Sequence, residues 1–261
     1  MSKTGTRTIS LFIKITVVIS AIVGTILSAL AGRAAFMGGS RVFMYFTIQS
    51  NIAVALISLI GIIKMLREQQ YSHTWYVIQF VGAVAITLTG MVFCFVLAPT
   101  MGKYPWNLQN VLTHVVVPVA AVADMFVSGK NSTMGKKDIL YVTLPPLAYA
   151  LYAGIGYAAG WEFSRGKNYP YFFLNWGSPA GAFGFTKELP FMGCVWWIIA
   201  LLIFLILTGR LYLFILDLIR KKQDPAGAAD ERLRHQQGVG GVFREKPFSP
   251  GHLRGWHGRD P

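Results

Sequence analysis

Polar residues inside long apolar stretches are the natural place to look for chemistry, because hydrocarbon makes each of them costly to keep. Two segments of the 261-residue chain stand out for such groups. Tyr45-Phe46-Thr47-Ile48-Gln49-Ser50-Asn51 places Thr47, Ser50 and Asn51 at i, i+3 and i+4, on one face of a helix. Thr113-His114-Val115-Val116-Val117-Pro118 holds His114, the one histidine within an apolar block. Four residues on, Pro118 has no N–H to give the His114 carbonyl. A neutral imidazole beside a threonine hydroxyl is a pairing for nucleophilic catalysis: His114 takes the Thr47 proton, while Ser50 or Asn51 orients groups or polarises a carbonyl. The same residue types also join helices by hydrogen bonds with no reaction. Taken alone, the residues favour that second reading.

The elements that position these groups are membrane helices. The chain is 54% hydrophobic and only 13% charged, whereas a soluble domain carries about 25% charged residues. Its apolar residues form six blocks, spanning about 9–31, 42–65, 75–98, 108–128, 139–159 and 191–219. Each approaches the ~20 residues that a crossing helix needs, and none shows the ten-residue alternation of a membrane barrel. The expectation is therefore an all-α, polytopic bundle of six transmembrane helices. Residues 1–8 precede it, 9–222 form it, and 223–261 make a disordered tail rich in Gly, Pro, Gln and Arg. Pro145 and Pro146 are expected to kink the fifth helix. The first block also has the flanks of a signal peptide, with Ala29-Leu30-Ala31 as its cleavage site, but it is longer than the usual 7–15-residue core.

Charge orients the bundle. Lys3, Arg7, Lys14, Lys64, Arg67, Lys130, Lys136, Lys137, Arg210, Arg220, Lys221 and Lys222 fall on one side, against six Lys and Arg on the other. Both termini are thus expected in the cytoplasm, in a cell membrane. Under that topology Thr47 and His114 each lie roughly 8–9 Å below the same end of the bundle, by helical rise. The net charge of +13 reflects this bias and not a nucleic-acid stripe. Membrane lipids are the expected partners, and no metal or cofactor is required.

The remaining candidates read more plainly. Asp124, about 15 Å deeper than His114 by helical rise, reads as an interfacial carboxylate or a partner of Lys130, with a buried proton or ion site as the alternative. Cys94 and Cys194 read as packing residues. His235, His252 and His257 lack zinc-ligand spacing. The long connection from Gly160 to Pro190 carries Tyr169-Pro170-Tyr171-Phe172-Phe173-Leu174-Asn175-Trp176, either an interfacial aromatic belt or a lid over the bundle mouth.

These segments resemble a known family, the bacterial six-pass "Pr-six-Pr" membrane proteins, themselves distantly similar to the androgen-induced and ADTRP-type proteins of animals. The residues that carry the resemblance are Tyr45-Phe46-Thr47 with Ser50-Asn51, His114 with Val116-Val117-Pro118 and Asp124, Leu147-Ala148-Tyr149, and Tyr169-Pro170-Tyr171 with Phe173-Leu174. The resemblance implies a threonine-dependent hydrolase of fatty-acid esters in a bacterial plasma membrane, with Thr47 as nucleophile and His114 as the essential histidine. Tyr149, Tyr169 and Tyr171 would then bind or orient substrate. Asn175 stands where many bacterial relatives have an aspartate. The competing expectation is a non-catalytic bundle, either a small-solute transporter or a lipid-binding or assembly protein. Transport is disfavoured here by the lack of paired buried charges and of an internal repeat.

Overall fold

The computed structural model describes residues 3–34, 39–102, 105–132 and 134–223. Six helices are long and apolar enough to cross a bilayer. They are α1 (Lys3–Ala34), α2 (Phe46–Leu66), α3 (His73–Thr100), α4 (Leu108–Ser128), α5 (Lys136–Ala158) and α6 (Cys194–Gln223). Among the described residues there is no β-strand, only two isolated bridges in the long loop. The chain divides into two units, Met1–Ile219 and Arg220–Pro261. All of the expected tail except Gln223 lies outside the described residues.

α3 is the central post. Its Phe80, Val84 and Leu88 meet Met125 of α4, Val142 of α5, and Leu205, Tyr212 and Leu216 of α6 in one core cluster. Val17 of α1, Val54 of α2, Ile86 of α3 and Val117 of α4 form a second. Large apolar side chains such as Phe12, Leu56, Leu151, Leu207 and Phe214 face outward. That is the lipid-facing pattern expected where the solvent is hydrocarbon.

Several boundaries differ from those read off hydropathy. α2 begins at Phe46 and not at Val42. Arg41–Met44 wind as a 3-10 turn, and Tyr45 is extended at φ −90° and ψ 139° before the helix starts. Thr47 therefore sits in the first turn of α2. The prolines of α5 fall where its winding changes. Lys136–Thr143 is wound as 3-10 helix, and Pro145 and Pro146 fall in the first turn of the α-helical stretch Leu144–Ala158, where a missing N–H costs little.

Two of the helices carry a π-turn. Phe93–Leu97 interrupts α3, and Leu112–Val116 interrupts α4 just ahead of Pro118. Such bulges gather at functional sites, and these two bring Phe93 and His114 together. Asn107 caps α4 by accepting from the Asn110 N–H at 3.0 Å.

The long loop divides between the two expected roles. Its first part folds inward: Phe163, Phe173 and Leu174 are buried, the last two against Tyr149 and Ala153 of α5. Phe183, Phe185 and Phe191 stay exposed, as a belt would. The two cysteines are free thiols.

Candidate functional site

Thr47 and His114 meet. Thr47 Oγ1 lies 3.4 Å from His114 Nε2, and the contact joins the first turn of α2 to the π-turn of α4. His114 is nine-tenths buried, whereas Thr47 is half-buried and reachable.

The other ring nitrogen decides the tautomer. His114 Nδ1 is 3.1 Å from the Asn110 carbonyl, which can only accept, so Nδ1 carries the proton. The neighbouring Thr113 hydroxyl, 3.0 Å from Nδ1, donates its own hydrogen to the Gln109 carbonyl and is left to accept. Nε2 is then the bare lone pair, and it points at the Thr47 hydroxyl. Phe93 stacks on the imidazole at 3.9 Å between centroids and 25° between planes, which fixes the ring from its face.

Tyr171 closes the third side. Its hydroxyl accepts from the Thr47 N–H at 3.4 Å and stands 3.5 Å from Thr47 Oγ1. Burial pushes the Tyr171 phenol above its ordinary value, so it stays protonated and able to donate at the positive end of α2. Tyr45, edge-on to Tyr171 at 5.6 Å, is pushed up to about 12 by burial and then by Tyr171, and donates to the Phe163 carbonyl.

Ser50 and Asn51 are committed elsewhere. Both donate to the Thr47 carbonyl, at 3.0 and 2.8 Å. Ser50 also pairs with Thr89 of α3 at 2.8 Å, and Asn51 donates to the Thr113 carbonyl at 3.1 Å. They clamp the backbone of Thr47 to α3 and α4. Tyr149 donates to the Met44 carbonyl at 3.1 Å and buttresses Phe46 edge-on at 5.3 Å. Tyr169 is half-buried in the loop and lines neither chamber at Thr47.

Two chambers meet at Thr47, with Leu97 and Tyr171 also shared. One, of about 200 Å³, carries the polar residues His114, Asn107, Asn110 and Gln109 on one part of a largely apolar lining. The other, of about 60 Å³, is apolar, lined by Phe46, Leu88, Val92, Phe173 and Leu201 among others. Among the described residues no group of three or more His, Cys, Asp or Glu side chains converges on a metal-sized site.

No family model matches the chain, and neither a curated protein nor a solved structure matches it. The site must be read from its own geometry.

That geometry includes contacts to which hydropathy is blind. Gly90 on α3 faces the His114 carbonyl that Pro118 leaves without its usual donor. A Cβ at Gly90 would stand 2.8 Å from that oxygen and 3.4 Å from the Pro118 ring. Gly90→Ala is therefore expected to force α3 and α4 apart and to lower stability by about 1–3 kcal/mol, read as a drop in the thermal midpoint of the detergent-solubilised protein.

Asp124 pairs with Lys14 inside the bundle. It is buried, and its carboxylate holds Lys14 of α1, with Nζ at 2.7 and 2.6 Å from its two oxygens. Ser10 adds a donor to Asp124 at 2.6 Å and accepts from Lys14 at 2.9 Å. Lys14 is fully buried, with its stem passing Gly61 of α2 where a Cβ would lie 2.6 Å from Cε. The expectation that the chain lacks paired buried charges is thus overturned.

Proposed function

We propose that this six-helix membrane protein is a hydrolase of lipid esters that uses Thr47 as nucleophile and His114 as general base. The observation that carries the reading is the contact between Thr47 Oγ1 and His114 Nε2, with Nδ1 committed to the Asn110 carbonyl. Thr47 Oγ attacks the ester carbonyl as its proton passes to Nε2, and the Asn110 carbonyl steadies the imidazolium that forms. The oxyanion faces the Tyr171 hydroxyl, which already accepts from the Thr47 N–H and keeps its own hydrogen to give. The imidazolium returns a proton to the leaving alkoxide. A water from the larger chamber, activated by His114, then releases the acid from acyl-Thr47.

The two chambers suit an amphiphile: the small apolar one takes the start of an acyl chain, and the one that carries His114 takes the alcohol part and the water. By the bias of Lys and Arg, both termini are cytoplasmic and the Thr47 end faces outward. The reading is tested with a fluorophosphonate probe on the purified protein. Labelling at Thr47 that disappears in His114→Ala is the expected result, and folded protein that neither labels nor cleaves esters sinks it.

A second reading, a non-catalytic transporter or lipid-binding protein, draws on the buried Lys14–Asp124 pair. Charges in apolar surroundings are a usual mark of transport.

A further inference from the structure

Behind the small apolar chamber lies a far larger space. A groove of about 800 Å³ runs between α2, α3 and α5, and it shares Phe46 and Tyr149 with the chamber beside Thr47. The two residues, edge to face at 5.3 Å, stand between the spaces. Along α2 the groove wall is Ala53, Val54 and Ile57, and along α3 it is Val77, Val81 and Ala85. At the end farthest from Thr47 it stops at His73, whose Nε2 is 3.2 Å from Asp138 Oδ1. Asp138 in turn accepts from the Gly135 N–H at 2.7 Å, so a polar knot stands at that end.

We propose that this groove is the binding site for one long, straight acyl chain, with the Phe46–Tyr149 pair as the neck through which the chain reaches Thr47. The inference rests on the hydrolase reading only for what happens at the neck, since the groove would hold the same chain in a non-catalytic lipid-binding protein. Length selects the occupant. From Tyr149 to Asp138 the α5 wall is partly α-helix and partly the more extended 3-10 form, which gives roughly 19 Å of groove. One leaflet of hydrocarbon is about 15 Å, half of the ~30 Å core. The groove thus accepts the whole chain of a membrane lipid, whereas the 60 Å³ chamber beside Thr47 accepts only the first few carbons. A short-chain ester would leave nearly all of the apolar wall without an occupant. A chain that overran the groove would press its methyl end on the His73–Asp138 pair, whose polar atoms it cannot satisfy. The groove therefore also measures length.

Three alanines stand in the wall, and two of them offer a clean obstruction. Ala53 of α2 and Ala148 of α5 are exposed in the groove, so a larger side chain fits there without disturbing the core. The test uses a palmitoyl ester with a photoreactive diazirine near its chain end and the full-length protein in detergent. Wild type is expected to crosslink in the peptides around His73–Ala85 and Asp138–Ala148, and Ala53→Trp and Ala148→Trp are each expected to cut that crosslinking at least tenfold. Crosslinking spread evenly over the lipid-facing helices, or unchanged in both variants, overturns the groove. Turnover of butyrate and palmitate esters is followed in parallel. Absence of turnover by wild type counts against the hydrolase while the crosslinks still decide the groove; with turnover present, the palmitate-to-butyrate ratio falls at least tenfold in both variants.

Discussion

Thr47→Ala is expected to abolish ester hydrolysis, by about 10³-fold or more, while leaving the thermal midpoint close to that of wild type. Thr47 makes no buried side-chain hydrogen bond on which the bundle depends: its contacts to His114 and Tyr171 are long, at 3.4 and 3.5 Å, and Ser50 and Asn51 hold its carbonyl and not its hydroxyl. Thr47→Ser keeps the hydroxyl and is expected to retain activity. His114→Ala removes the base and is expected to lower kcat by about 10²–10⁴-fold. Tyr171→Phe removes one oxyanion donor, worth about 10²–10³-fold. Hydrolysis of a long-chain ester by each purified variant, with its melting curve, makes the comparison. If Thr47→Ala and Thr47→Ser are equally active, Thr47 is not the nucleophile. Should His114→Ala unfold the protein instead, fluorophosphonate labelling of His114→Gln, which preserves the size and polarity of the side chain, replaces it.

The six crossings were legible because a bilayer asks only for a sufficient run of apolar residues, and each block supplied one. Helix starts were harder. Val42, Phe43 and Met44 are apolar enough to count toward a span, yet they wind as a 3-10 turn, and the extended Tyr45 sets the start of α2. Hydropathy does not see a change of winding. For the same reason the two π-turns left no trace in the sequence beyond Pro118. Without that of α4, His114 would not face Thr47 through the same register of side chains.

Thr47 and His114 were legible as a pair because α2 and α4 run in the same direction, and both residues fall a few positions past the start of an apolar block. Their support was not. The Asn110 carbonyl that sets the tautomer is a backbone group of an ordinary residue, Phe93 is one aromatic among eighteen phenylalanines, and Thr89 is one hydroxyl in an apolar helix. Nothing in residue type distinguishes such neighbours before the helices are packed. Lys14 misled in a different way. Read as one more positive charge near a helix end, it is instead the partner of Asp124. A lysine inside an apolar block, four residues after Ser10, was the available signal.

The Lys14–Asp124 pair carries the largest expected effect on folding. Each charge is buried and each satisfies the other, with Ser10 completing the shell. Removing one partner leaves the other ionised in apolar surroundings, so Lys14→Met and Asp124→Leu are each expected to cost about 3–5 kcal/mol. The double variant replaces both charges with apolar groups of similar size and is expected to recover most of that loss, because no charge is then left behind. A double-mutant cycle on thermal midpoints in detergent isolates the coupling. If either single variant melts like wild type, the pair does not hold α1 to α4. Gly61→Ala should behave as a milder single variant, since its methyl group would displace the lysine stem while leaving both charges in place. Asp124 lies ten residues past His114, about 15 Å along α4. The loss should therefore appear in stability and yield and not in labelling of Thr47 per folded molecule, which separates the ion pair that anchors α1 from the hydroxyl and imidazole near the other end of the bundle.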